Sequence, residues 1–275
     1  MLHCTMPRSF RRSLNGSLGL CITILICMLQ SSVNAAAKPP QREFYEIRVY
    51  HVKDAAQEST VDHYLEQAFL PAVHKAGISK VGVFKPVGND TAADRRIYVL
   101  IPYKRLEQFR QLPEQLEASK EHGTAGAEYL DAAYNAAPYT RMEIMLLQAF
   151  TAHPQLELPA LTGPKKERIY ELRSYEGPTE KLYRNKVQMF NKGDEVGIFK
   201  RLNFNAVFYG EVISGSHMPN LMYLTTFENK AAREAHWKSF GSDPAWKQLS
   251  ALPEYQHNVS HQDIMFLYPT EYSDI

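Results

Sequence analysis

Residues 44–50, Phe-Tyr-Glu-Ile-Arg-Val-Tyr, alternate along the chain. Tyr45, Ile47 and Val49 fall on one side of an extended segment, and Glu46, Arg48 and Tyr50 on the other. That period of two predicts a β-strand. A helical period follows, because Leu65, Ala68, Phe69, Ala72, Val73 and Ala76 share one face of a 3.6-residue repeat. Ser59 or Thr60 is the expected cap at its start and Gly77 the left-handed stop at its end. Pro71, inside the stripe, lacks an N–H and should kink the helix. Two further strands are expected at about 78–87 and 95–101, joined through Gly88-Asn89-Asp90. Helical sequence resumes at Leu106, and a last strand runs from about Met142 to Ala149.

This order recurs. Ile169-Tyr170-Glu171-Leu172-Arg173-Ser174-Tyr175 repeats residues 44–50 at an offset of 125. Val83-Phe84 is answered by Val207-Phe208, and Ile144-Met145-Leu146-Leu147 by Ile264-Met265-Phe266-Leu267. A linker rich in proline and glycine, 153–167, separates the copies at 44–152 and 168–275. In the second copy the last helix closes through Trp237 to Gly241. A short helix restarts at Asp243-Pro244-Ala245-Trp246, with Asp243 as cap and Pro244 in its first turn. The first copy instead carries added, alanine-rich helical sequence over roughly 114–137.

Strand, helix, strand, strand, helix, strand is the ferredoxin-like order, in which both helices cover one face of an antiparallel sheet. Its other face needs a partner, and the tethered second copy supplies one. The expected architecture is therefore α+β, with tandem duplicated βαββαβ modules closing into a pseudo-dimeric α/β barrel.

The first residues follow other rules. Arg8, Arg11 and Arg12 precede an apolar run, Leu18 to Leu29, and small residues end the segment at Ala35-Ala36-Ala37. That is the layout of a secretory signal peptide over 1–35, with a short linker at 36–43 and export to the periplasm or outside the cell. The apolar run is too short for a stable membrane span, which takes about 20 residues. Cys4, Cys21 and Cys27 all lie in this leader, so the exported chain would have no disulfide, thiolate nucleophile or cysteine-ligated metal. Losing three arginines takes the net charge from +1 to −2, which gives no pull toward nucleic acid. A hydrophobic content of 44% suffices for two packed modules.

The opening motif Tyr-Glu-Ile/Leu-Arg-x-Tyr at 45–50 and 170–175 resembles the NIPSNAP family, a branch of the dimeric α/β-barrel group. So does the closing segment Ala232-Arg233-Glu234-Ala235-His236-Trp237 with Asp243-Pro244-Ala245-Trp246. The first copy departs from the closing pattern at Leu112-Pro113-Glu114 and in its added helix. The resemblance implies a fold and no agreed reaction. Its fold relatives include cofactor-independent monooxygenases, haem-degrading enzymes and plain binding modules.

Candidate chemistry centres on the repeated strand face. With the more apolar set turned to the helices, Glu46, Arg48 and Tyr50, with Glu171, Arg173 and Tyr175, would face the barrel interior. There the two clusters would orient a carboxylate or carbonyl ligand. The same residues also suit a structural ion pair. His236, beside Trp237, is a further candidate at the cleft rim, as a base or haem ligand. His257 and His261, four apart and followed by Asp263, would make a metal set only on a helix; the strand expected next argues against one, so no metal is assigned. No phosphate-binding glycine loop and no G-x-S-x-G elbow occurs. No cofactor and no catalytic residue is assigned. The expected function is binding of a small organic ligand or a protein partner in the barrel cleft. The alternatives are a cofactor-independent monooxygenase acting on a phenolic or keto substrate, and a structural assembly module that forms homo-oligomers.

Overall fold

The computed structural model describes residues 40–275, which form one compact unit; the leader expected over 1–35 lies outside the described residues. The first copy contributes β1 (Phe44–Val52), α1 (Ala55–Tyr64), α2 (Leu70–Lys75), β2 (Gly82–Pro86), β3 (Arg95–Tyr103), α3 (Leu106–Ala118), α4 (Lys120–Ala125), α5 (Ala127–Leu130) and β4 (Arg141–Ala149). The second contributes β5 (Ile169–Glu176), α6 (Glu180–Asn191), α7 (Glu195–Arg201), β6 (Phe208–Ser214), β7 (Asn220–Phe227), α8 (Lys230–Ser242), α9 (Pro244–Ser250) and β8 (His261–Pro269). The eight strands close into an antiparallel barrel in the order β1-β3-β2-β8-β5-β7-β6-β4. Each half of that order is one copy's sheet, and the seams are β2 against β8 and β4 against β6. Closure removes every sheet edge.

Local signals place the helices. Asp54, rather than Ser59 or Thr60, caps α1, accepting from the Gln57 amide at 2.9 Å; the helix thus starts one turn earlier than the sequence suggested. Thr179, Asn229 and Asp243 cap α6, α8 and α9 in the same way. Gly77 takes φ +82 after α2, a conformation that costs glycine little. The kink expected at Pro71 takes the form of a π-helical stretch, Leu65–Phe69, joining α1 to α2. The wider turn absorbs the backbone contact that the proline ring denies. Helix in the added segment ends at Leu130 rather than near 137.

The two faces of the strands are used in the opposite sense to the one expected. Tyr45, Ile47, Val49, Tyr170 and Leu172 fill the barrel lumen, in one cluster drawn from both copies. Tyr45 packs on Phe208 of the other copy at 5.2 Å, and Tyr170 on Phe84 at 5.0 Å, a reciprocal exchange that plugs the lumen. Glu46, Arg48 and Tyr50, with Glu171, Arg173 and Tyr175, lie instead between sheet and helices. The reason is partnership. An eight-stranded lumen is only wide enough for side chains to fill it, and the apolar set does so. The charged set needs donors and rings that the helices and outer strand face supply.

The linker and the C-terminus tie the copies together. The Leu156 amide donates to Glu43 at 2.8 Å. Asp274 and Ser273 accept from the amides of Val81 and Val83 at 2.8 and 2.9 Å. Among the described residues no helix is long and apolar enough to cross a membrane.

Candidate functional site

Beneath the helices of the first copy, Arg48 Nε donates to Glu46 Oε1 at 2.8 Å, and the Tyr103 hydroxyl donates to Glu46 Oε2 at 2.6 Å. The guanidinium stands 5.1 Å from the Phe69 ring. In the second copy Arg173 Nε donates to Glu171 Oε1 at 2.6 Å and its Nη1 to the Tyr175 hydroxyl at 2.7 Å. Arg233 reaches Glu171 twice, at 2.7 and 3.0 Å, and the Trp237 indole N–H donates to it at 2.8 Å. Arg173 lies 3.9 Å over the Trp237 ring. Burial alone would raise the Glu171 carboxyl, but Arg233, Arg173 and Trp237 together hold it below its ordinary value. Four donors occupy the lone pairs of that carboxylate. The expected ligand-binding triads therefore spend their polar groups on each other and on the helix layer.

Neither Arg233 nor Trp237 was among the candidate site residues expected from sequence. Their spacing of four on α8 was the available signal, because it puts both side chains over β5. His236 packs elsewhere: its Nδ1 lies 2.8 Å from the Leu202 carbonyl and its ring meets Phe204 and Phe227 edge-on.

The copies differ above their triads. In the first, the added segment folds Tyr129 onto Tyr64, stacked at 3.8 Å, with Tyr139 against Tyr50 at 5.6 Å. His122 on α4 meets the Tyr64 hydroxyl at 3.0 Å. In the second, Lys186 and Glu195 form a buried ion pair at 2.9 Å, and burial raises the Glu195 carboxyl despite the lysine.

One open space lies at an end of the lumen. A cavity of about 380 Å³ is lined by both copies, with a floor of Val49, Tyr98, Met145, Leu172, Met222 and Met265. Its rim is polar and includes His51, Arg96, Glu143, His217 and Asp263. His51 follows Val49 on the lumen side of β1 and is only 5% exposed. Its Nδ1 is 2.8 Å from Asp94, and since a carboxylate only accepts, that nitrogen carries the hydrogen. Burial pulls the Asp94 carboxyl up, but His51 and Arg96 hold it below its usual range. His51 Nε2 has no hydrogen-bond partner and stands 3.6 Å from a Glu143 oxygen. None of these rim residues was among those expected from sequence.

Residues 170–274 match the NIPSNAP family profile. No curated protein matches the chain. A crystal structure of a candidate monooxygenase from Lactobacillus acidophilus NCFM is similar with a TM-score of 0.54 and 10% identity, over 83% of this chain and 94% of that one. A second candidate monooxygenase, from Fusobacterium nucleatum subsp. nucleatum, gives 0.51 and 8%, over 83% and 93%. Both cover the whole barrel and show the fold. A NIPSNAP-like domain protein from Burkholderia xenovorans is 18% identical over 39% of this chain and 89% of its own, with a TM-score of 0.36. Residues 170–274, which match the NIPSNAP family model, form the second half of a closed eight-stranded α+β barrel.

Proposed function

We propose that this protein binds a small organic molecule in the mouth of the barrel, with its apolar body on the methionine-rich floor and its polar end at His51 and Arg96. One observation carries this reading: at one end of the lumen a cavity of about 380 Å³ opens between the two copies. Small-molecule sites occupy about 300–1,000 Å³, mostly apolar with a few placed polar groups, and the mouths of barrels are common places for them. Met145, Met222 and Met265 are unbranched and polarizable, so the floor adapts to the shape of its occupant. Native mass spectrometry with added 1-anilinonaphthalene-8-sulfonate, an aromatic anion, tests this. A single adduct is expected, and Met265→Trp, which fills the floor, should lose it while melting near the wild-type temperature. No adduct, or the same adduct in the variant, would overturn the proposal.

A second reading has its own support in the His51–Asp94 pair. A buried imidazole in the cavity wall, held at Nδ1 by a carboxylate and without a hydrogen bond at Nε2, would accept a proton from a bound phenol or from carbon beside a keto group once its ring turns toward the cavity. That step would begin a cofactor-independent oxygenation, and both solved structures of similar fold are named as candidate monooxygenases. His51→Gln should abolish turnover of such a substrate while leaving the aromatic anion bound.

A further inference from the structure

The rim carries a second cluster that the organic ligand does not need. β5 and β8 are antiparallel neighbours, with Glu176 opposite His261 and Ser174 opposite Asp263. These positions are on the lumen side of both strands, and a ligating atom of each of Glu176, His261 and Asp263 lies within 4.8 Å of the others. His261 Nε2 is 3.2 Å from Asp263. His217, from the turn between β6 and β7, brings Nδ1 to 3.1 Å from Glu176. From the sequence, His257, His261 and Asp263 would have made a metal set only on a helix, and none was assigned. β8 begins at His261 instead, so the strand pairing substitutes Glu176 for His257.

We propose that Glu176, His261, Asp263 and His217 bind one divalent ion of the zinc class. Zinc holds nitrogen and oxygen ligands at about 2.0–2.2 Å, so tetrahedral neighbours stand about 3.4 Å apart. The two histidine–carboxylate edges are already close to that length, and His261, Asp263 and His217 are exposed enough to rotate inward. Two imidazoles favour zinc, cobalt or nickel over magnesium or calcium, which take oxygen ligands. Three of the four residues stand on strands or at a strand end whose register the barrel fixes, so the fold sets their spacing. Exposed ion pairs of this kind contribute little to stability, so stability alone does not require their convergence. An independent feature also marks this end for a ligand. β1 stands four strands from β5 around the ring, and the buried His51 on it, whose Nε2 has no hydrogen-bond partner, lines the same cavity as His217 and Asp263.

Calorimetric titration of the full chain, carrying no histidine tag, with Zn²⁺ alone tests the site, and Co²⁺ absorption reports its geometry. One equivalent of Zn²⁺ should bind, Mg²⁺ should give no heat, and Co²⁺ should show the strong visible bands of a tetrahedral complex. His261→Ala and Asp263→Ala should each weaken Zn²⁺ by at least about tenfold, the lower range for disturbing even an outer-shell partner. Both variants are exposed substitutions and should fold as the wild type does. Absence of saturable Zn²⁺ binding, or affinity unchanged in both variants, would overturn the proposal. Because the ion is titrated without organic ligand, failure here is distinct from failure of the mouth to bind an aromatic anion.

Discussion

His51 and Glu176 occupy equivalent positions in the two copies, 125 residues apart, and both stand at the end of the lumen where the cavity opens. Preceding them on the lumen side of each strand are Tyr45, Ile47 and Val49 in one copy and Tyr170, Leu172 and Ser174 in the other. The lumen is thus graded from a tyrosine plug to a polar mouth. Duplication gave both copies this gradient, and divergence at its last step set an imidazole across the mouth from a carboxylate.

The Glu/Arg/Tyr triads should act on stability and not on binding. Arg173→Met leaves Glu171 buried with one cation fewer, and breaking a buried pair this way costs about 3–5 kcal/mol. Urea unfolding should show that loss. Affinity for the aromatic anion should stay within about twofold of wild type, since uncoupled sites are independent. Arg48→Met should behave alike in the first copy. A parallel loss of affinity would return the triads to the site.

Acid should destabilise the protein partly through Glu171. Its folded carboxyl titrates below the ordinary value of 4.5, so the stability it contributes is present above that pH and is lost as pH falls below it. Glu171→Gln should be less stable at neutral pH, and its melting temperature should fall less steeply than wild type below about pH 4.5. Parallel curves for the two proteins would refute the assignment.

Much of the fold was legible because period-two alternation and a repeat at 125 residues need no tertiary information. Alternation says which residues travel together, Tyr45 with Ile47 and Val49, but not which side is lumen. Both sides of β1 are buried here, and tyrosine occurs on both, Tyr45 inward and Tyr50 outward. Hydrophobicity therefore could not orient the strand, and the charged set was assigned to the wrong side. The mouth was harder to see, since its lining is gathered from strands of both copies, distant in sequence. Arg233 and Trp237 were within reach of a helical-spacing argument.

The added segment of the first copy should be a structural lid. Tyr129→Ala removes the ring stacked on Tyr64 and should cost about 2–4 kcal/mol, in the range for truncating large buried side chains. Chemical denaturation measures this. Binding at the mouth should not change, because none of these rings lines the cavity.

The rim should matter to affinity. Arg96→Met removes the cationic donor of the rim, and losing one charge-assisted hydrogen bond of about 1.5–3 kcal/mol should weaken the aromatic anion by at least about tenfold. A titration that gives equal affinity for both proteins would take Arg96 out of the site.

Methyl NMR of protein labelled at methionine Cε tests the central claim most directly, because the methionines report from different compartments. Met145, Met222 and Met265 line the mouth cavity, whereas Met189 lies in the helix-side core of the second copy. On titration with 1-anilinonaphthalene-8-sulfonate, the first three resonances should shift together and saturate with a single dissociation constant, while Met189 stays still. Movement of Met189 with the cavity methionines unmoved would place the ligand beneath the helices and contradict the account.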